Sequence, residues 1–302
     1  MINSARRLTT TAALGTVLGT VLIGCRTDGA ATGSGAADVG VHAPQRTPLP
    51  VPPSPSPSVE AAPGPPEPPV PAPGPAGLTP VFERAPRTAD KVVALTFDAD
   101  MTADEGPRAE AGERFDNPGL IALLRRLKVP ATVFMTGRWA DQYPEQARSI
   151  GADPLFEVAN HSYSHYAFAS PCYGLPTVAK DEMRADVERA FAAFRRAGVR
   201  NTVPYFRFPG GCHDDASLRA LAPAKVTAVQ WDVVSGDAFA TDADAVAEQV
   251  LAGVEPGSLV VMHCTRSAAP VTDEAVRRVV PELRERGYRF VKVSDLMRTR
   301  PS

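Results

Sequence analysis

Along residues 91–297, short apolar runs alternate with stretches in which apolar residues recur every three or four positions. The runs 92–97, 131–135, 155–158, 205–208, 226–231, 259–262 and 288–291 read as strands. Helical patterns lie between most of them. Residues 118–127 carry Leu120, Leu123, Leu124 and Leu127 on one face, and residues 180–196 place Met183, Val187, Ala190 and Phe194 in the same way. Both segments are amphipathic. Seven strands with intervening helices in 207 residues predict an α/β fold. About seven parallel strands in a distorted (β/α) barrel fit this length better than a full eightfold barrel, which typically needs about 250 residues.

The pattern does not extend to the beginning of the chain. Of 302 residues 31 are proline, and sixteen of these fall between Pro44 and Pro80. Residues 26–86 therefore read as a Pro-rich linker unable to offset its ordering entropy, followed by one folded domain over 87–302. As polyproline II, such a spacer reaches on the order of 100 Å. Residues 1–25 have Arg6 and Arg7 ahead of an apolar run, the layout of an export signal. The run is too short and too diluted by Thr and Gly for a permanent span. Its ending, Leu22-Ile23-Gly24-Cys25, is similar to a bacterial lipobox, in which the cysteine becomes the lipid-bearing first residue. This predicts an extracytoplasmic protein anchored by lipid at Cys25 to the outer face of the cell membrane. Arg6-Arg7 leaves a twin-arginine route open beside general export.

With 32 Lys+Arg against 34 Asp+Glu, the net charge of −2 supplies no basic field for nucleic acid. Chemically capable residues instead collect where predicted strands end: Asp98 and Asp100, His161 and His165, Arg207, Asp232 and Asp237, and His263. In a parallel barrel these ends share one rim, so residues 165 positions apart can converge. His161 and His165, at i and i+4, can aim at one point, and two His with a carboxylate form a usual catalytic zinc set. Three of only five histidines follow predicted strands.

Five motifs, in order, resemble those of the polysaccharide deacetylase family, carbohydrate esterase family four, over about residues 91–296. They are Thr96-Phe97-Asp98-Ala99-Asp100, Asn160-His161-Ser162-Tyr163-Ser164-His165, Arg207-Phe208-Pro209-Gly210-Gly211, the spaced aspartates Asp232 and Asp237, and the apolar strand ending at His263. The resemblance implies a distorted α/β barrel that removes N- or O-acetyl groups from sugars with a divalent metal, zinc before cobalt or nickel. It implies Asp98 as general base and His161, His165 and Asp100 as metal ligands. Arg207 would fix Asp98, the Gly210 N–H would face the oxyanion, and His263 would be the general acid, oriented by Asp237 together with Asp232. The expected substrate is an acetylated cell-envelope glycan such as peptidoglycan or a chitin-like polymer, and the expected state is a monomer.

The sequence departs from the family pattern in three places. Ala99 separates two aspartates that are usually adjacent, although i and i+2 share a strand face. Gly210 and Ala238 stand where the family carries aromatics. Two other readings use the same residues. Asp98-Ala99-Asp100-Met101-Thr102 fits the Asp-x-Asp-x-Thr element of haloacid-dehalogenase-like phosphatases but leaves the histidines and Arg207 unused. A catalytically inactive sugar-binding lipoprotein would keep the fold and lose the metal. Cys172, Cys212 and Cys264 predict one disulfide and one free thiol, with three pairings open. Trp139 and Trp231 read as packing residues, and Asp214-Asp215 beside His213 as a helix start.

Overall fold

The computed structural model describes residues 66–87 and 90–299. The expected signal segment, Cys25 and the spacer up to residue 65 lie outside the described residues. Nine strands form one parallel sheet: β1 (Val81–Phe82), β2 (Val92–Ala99), β3 (Ala131–Met135), β4 (Phe156–Asn160), β5 (Thr202–Phe206), β6 (Thr227–Val229), β7 (Val233–Val234), β8 (Ser258–His263) and β9 (Arg289–Phe290). Their order is β1-β6-β5-β4-β3-β2-β8-β7, with β9 also pairing with β2, and the sheet is a curled half-barrel with helices. All the seven expected strands are present. The two additions, β1 and β7, are two-residue strands, too short to register as apolar runs.

Strand β2 shows why the sheet forms. All eight of its residues are buried, as expected of a parallel strand covered on both faces. Val93, Leu95, Phe97 and Ala99 enter one apolar cluster with the helices, and Val92 and Ala94 enter another on the opposite face. Thr96 and Asp98 continue that second face by the two-residue period. The outer layer includes α2 (Pro118–Leu127), α3 (Gly137–Gln142), α5 (Met183–Ala197), α6 (Asp215–Leu221), α7 (Ala243–Gly253) and α8 (Thr272–Glu285), with α1 (Glu105–Glu110) and α4 (Pro144–Gly151) between strands and α9 (Val293–Met297) at the end. Helix α2 starts at Pro118, where Asn117 Oδ1 accepts the Leu120 N–H at 3.0 Å, and buries Leu120, Leu123 and Leu124 as the periodicity predicts.

The domain begins earlier than expected. Residues 66–86, assigned by composition to the linker, lie against the fold. The Tyr205 hydroxyl donates to the Pro69 carbonyl at 3.0 Å, Thr79 Oγ1 donates to the Leu218 carbonyl at 2.8 Å, and Ala85 is fully buried. Proline content concealed this, because Pro-rich chain docks through carbonyls and ring faces that leave no periodic signal.

Candidate active site

Because the strands are parallel, their carboxyl ends meet on one rim, and the rim gathers most of the expected residues. Asp98 ends the inward face of β2, and Arg207 follows β5. The Arg207 side chain is fully buried, and its Nη1 donates to Asp98 Oδ1 at 2.6 Å. The guanidinium also donates to the Val229 and Gln230 carbonyls and lies 3.8 Å from the centre of the Phe134 ring. Burial pulls the Arg207 pKa below its ordinary value, against the Asp98 charge that favours the cation. Removing either partner would strand a buried charge.

The two histidines of the His-x3-His motif are presented by a loop after β4, not by a helical turn. Ser162 and His165 have φ of +66° and +58°. The Ser162 N–H donates to Asn160 Oδ1 at 2.8 Å, and the His165 N–H to Ser162 Oγ at 2.9 Å. Between the histidines, the Tyr163 and Ser164 N–H groups donate to Asp186 Oδ2 at 2.9 and 3.2 Å. Asp186 was not among the expected site residues. Its signal is a carboxylate on the apolar face of α5, between Met183 and Val187. The loop packs onto the start of α3, where a Cβ on Gly137 would lie 2.3 Å from the Tyr163 ring.

His161 Nδ1 donates to the Arg207 carbonyl at 2.9 Å, which leaves Nε2 with its lone pair toward the rim. His161 Nε2 stands 3.3 Å from Asp100 Oδ1 and 3.7 Å from Asp98 Oδ2, and His165 Nε2 stands 3.5 Å from the same Asp100 oxygen. Asp98 and Asp100 therefore share a face despite the intervening Ala99. Asp100 Oδ1 is buried and has no donor in hydrogen-bonding geometry. Ligand atoms of Asp100, His161 and His165 all lie within 4.8 Å of one another. An orphaned carboxylate oxygen facing two imidazole nitrogens is the donor set that a divalent metal fits.

The electrostatics agree with that fit. Burial works against the Asp100 charge, but His165, His161 and His263 hold its pKa well below the usual carboxylate range. Burial lowers His165 to about 4, against the pull of Asp100, so this imidazole is neutral at pH 7. Burial also opposes charge on His161, but Asp98 and Asp100 raise it above its ordinary value.

His263 ends β8 across from these groups, with Nε2 3.9 Å from Asp100 Oδ2. Its Nδ1 meets Asp237 Oδ1 at 2.8 Å, while its backbone N–H and the Thr272 hydroxyl both donate to Asp237 Oδ2 at 2.7 Å. The Ser235 hydroxyl donates to Asp237 Oδ1 at 2.9 Å. Burial disfavours charge on His263, but Asp237 outweighs it and raises the imidazole to about 10. Ser235 and Thr272, like Asp186, were missed in the sequence.

Asp232 does not join this group, which corrects the expectation that it helps orient His263. It accepts from Ser258 Oγ at 2.8 Å and the Leu259 N–H at 2.6 Å, and it pairs with Arg84 at 3.2 Å. Ser258 and Leu259 are at the start of β8, with Ser258 five residues and about 16 Å of strand from His263. The chain turns after β6 and re-enters the sheet as β7 at Val233, so Asp232 marks a strand beginning. Gly210 lies on the rim in a 3₁₀ turn (Pro209–Gly211) with φ +66°. Cys172 and Cys212 form the disulfide, with Cα atoms 5.9 Å apart, and Cys264 is a buried free thiol. Trp139 is buried and donates to the Phe115 carbonyl at 2.7 Å, and Asp214 caps α6 by accepting the Ser217 N–H at 2.7 Å. The residues that the phosphatase reading leaves unused, His161, His165, Arg207 and His263, all converge on Asp98 and Asp100.

Comparison with known proteins matches this arrangement. Residues 85–229 match the family model for polysaccharide deacetylase. A chitooligosaccharide deacetylase of Sinorhizobium fredii is 30% identical over 198 residues, which cover 62% of this chain and 86% of that protein. A peptidoglycan-N-acetylglucosamine deacetylase of Bacillus cereus is 28% identical over 209 residues, 68% of each chain. Among solved structures, a mutant of a Bacillus anthracis pseudoenzyme of carbohydrate esterase family four, described as having restored enzymatic activity, superposes with a TM-score of 0.58 at 25% identity. That match covers 74% of this chain and 72% of the other. With the five motifs in order and all of their candidate site residues except Asp232 drawn onto one rim, the chain belongs to the polysaccharide deacetylase family, a family of hydrolases.

Proposed function

We propose that the protein removes N-acetyl groups from an amino-sugar glycan of the cell envelope, peptidoglycan or a chitin-like polymer, with zinc at Asp100, His161 and His165. The observation that carries this reading is the convergence of three ligand-type atoms beside a buried Arg207–Asp98 pair and opposite the His263–Asp237 pair. A bound divalent metal supplies a Lewis acid that acidifies water and polarises an acetyl carbonyl.

The chain's own residues supply the rest. Arg207 occupies one oxygen of Asp98 and leaves Oδ2 turned to the His161 side, where it takes the proton of an attacking water. The Gly210 N–H, three residues past Arg207, is the donor offered to the oxygen on which charge develops. Asp237 holds the His263 ring by Nδ1, so Nε2 carries the proton delivered to the departing nitrogen. An amide needs this step, because an unprotonated amine anion is too poor a leaving group. Anchoring through a lipid on Cys25 outside the membrane, with residues 26–65 as spacer, is part of the same proposal and is supported by the sequence of that segment. So is a monomeric state.

Acetate release from de-O-acetylated peptidoglycan, chitin oligomers and acetylated xylan tests the reading. Release from the first two that stops with chelator and returns with zinc is the expected result. Release from xylan alone would make the protein an O-acetyl esterase. Release from none would favour an inactive glycan-binding member of the family.

A further inference from the structure

Two turns on the rim break the usual rules of turn composition in the same way. Cys172-Tyr173-Gly174-Leu175 is closed by the Leu175 N–H donating to the Cys172 carbonyl at 2.8 Å, with φ of +47° at Tyr173 and +77° at Gly174. Positive φ at both central positions ordinarily selects Asn or Gly for the first of them. Asp237-Ala238-Phe239-Ala240 is closed by the Ala240 N–H donating to the Asp237 carbonyl at 3.1 Å, with φ +59° at Phe239. That third position ordinarily takes Gly or Asn. A bulky residue at positive φ costs folding free energy. Neither ring recovers it by packing, since Tyr173 is 89% exposed and Phe239 82% exposed. They are the two exposed aromatics among the described residues.

Both turns are held beside the reaction centre. The Cys172–Cys212 disulfide ties the first to the chain just after Gly210. A Cβ on Gly210 would lie 2.7 Å from Cys172 Sγ and 3.3 Å from the Tyr173 ring, so no side chain fits there and Tyr173 stands over the gap. The second turn starts at Asp237, the partner of His263, and the Phe239 N–H donates to the Ala268 carbonyl at 2.6 Å. In sheet order the first turn stands beside the end of β5 and the second follows β7, with Asp98 at the end of β2, and Asp100 just after it, between them. Gly210 and Ala238 are the positions where the family resemblance expects aromatics. Beside Gly210 stands Tyr173 from the disulfide-tied turn, and beside Ala238 stands Phe239 of its own turn, each an exposed aromatic.

We infer that Tyr173 and Phe239 are stacking platforms on either side of the Asp98–Asp100 rim, binding the pyranose rings that flank the sugar being deacetylated. The inference rests on the deacetylase reading above and narrows its substrate to a β-linked amino-sugar oligomer or polymer. The axial C–H face of an equatorially substituted pyranose is apolar and flat enough to cover an aromatic ring, and burying it supplies binding where the fold alone gains nothing.

The test compares full-length wild type with Tyr173→Asn, Phe239→Gly and the double variant. The substrates are the N-acetylglucosamine tetramer and 4-nitrophenyl acetate, which has no sugar ring. Each single variant should raise KM for the tetramer about 3- to 10-fold, leave kcat/KM for the aryl ester within about 2-fold, and melt at an equal or higher temperature, because the strain is relieved. Tyr173→Phe should behave as wild type. An unchanged KM for the tetramer, or equal losses on both substrates, would overturn the inference. If the wild type releases no acetate, the deacetylase reading has failed by itself. Saturation-transfer NMR of the tetramer with chelated protein then decides the stacking, which is upheld if the variants lose the ring-proton signal and rejected if they keep it.

Discussion

Asp98 meets Arg207 with one carboxylate oxygen at 2.6 Å and keeps the other 3.7 Å from His161, whereas Asp100 offers a buried oxygen that no donor satisfies. The two aspartates thus predict different variants. Asp98→Asn keeps the shape and a contact to Arg207 but cannot accept a proton, so bound metal should persist while acetate release falls about 10²- to 10⁴-fold. Asp100→Ala should weaken metal binding, with activity partly restored by excess metal, as metal titration followed by mass spectrometry would read. His263→Ala should retain metal and lose more turnover on an amide than on an activated ester; equal losses on both would argue against His263 as the acid. His263 also carries a pH signature. Its folded pKa of about 10 exceeds the ordinary 6.5, so the Asp237 pair contributes stability that is complete below about pH 6.5 and is lost as pH rises through about 10. Thermal melts of wild type and Asp237→Asn should therefore differ most just below about pH 6.5, differ less with each rise in pH above it, and converge toward about pH 10.5.

At the scale of elements, the His161–His165 loop owes its shape to α5. Asp186 accepts two backbone N–H groups and the Ser164 hydroxyl, and it pairs with Arg189. Asp186→Ala should lower metal affinity about 10- to 100-fold in calorimetric titration, as losses of residues supporting metal ligands typically do. Unchanged affinity would mean that the loop holds itself. Which elements were legible in the sequence follows from the same contacts. β2, β3 and β8 announce themselves because strands covered on both faces must be apolar throughout, and Asp98 and His263 stand out as the polar residues that end such runs. Arg207 was legible through its motif. Asp186 and Thr272 were not, since hydrogen bonds across 22 and 35 residues leave no local period, and Ser235, which bonds Asp237 two residues on, sits in a loop turn without one. Asp232 misled because a strand end and the next strand start are separated by only three residues, Gln230 to Asp232.

For the whole molecule, the N-terminal boundary has consequences of its own. Residues 66–86 contribute β1, the buried Ala85 and the Arg84 contacts to Asp232 and Glu255. Truncation to residue 87 should lower the melting temperature, while truncation to residue 65 should not. Cys25→Ser should move the protein from the membrane fraction to the medium or leave it unprocessed, since stable anchoring needs the lipid chains that a modified cysteine would carry. Unchanged fractionation would reject the anchor. The central claim is that one metal at Asp100, His161 and His165 serves a base at Asp98. Its most direct test is acetate release from N-acetylglucosamine oligomers by purified wild type and Asp98→Asn, each with its metal content measured in the same sample. The account predicts about one metal per chain in both, with release confined to the wild type and abolished by chelation. Undiminished release by Asp98→Asn, or release by metal-free wild type, would contradict it.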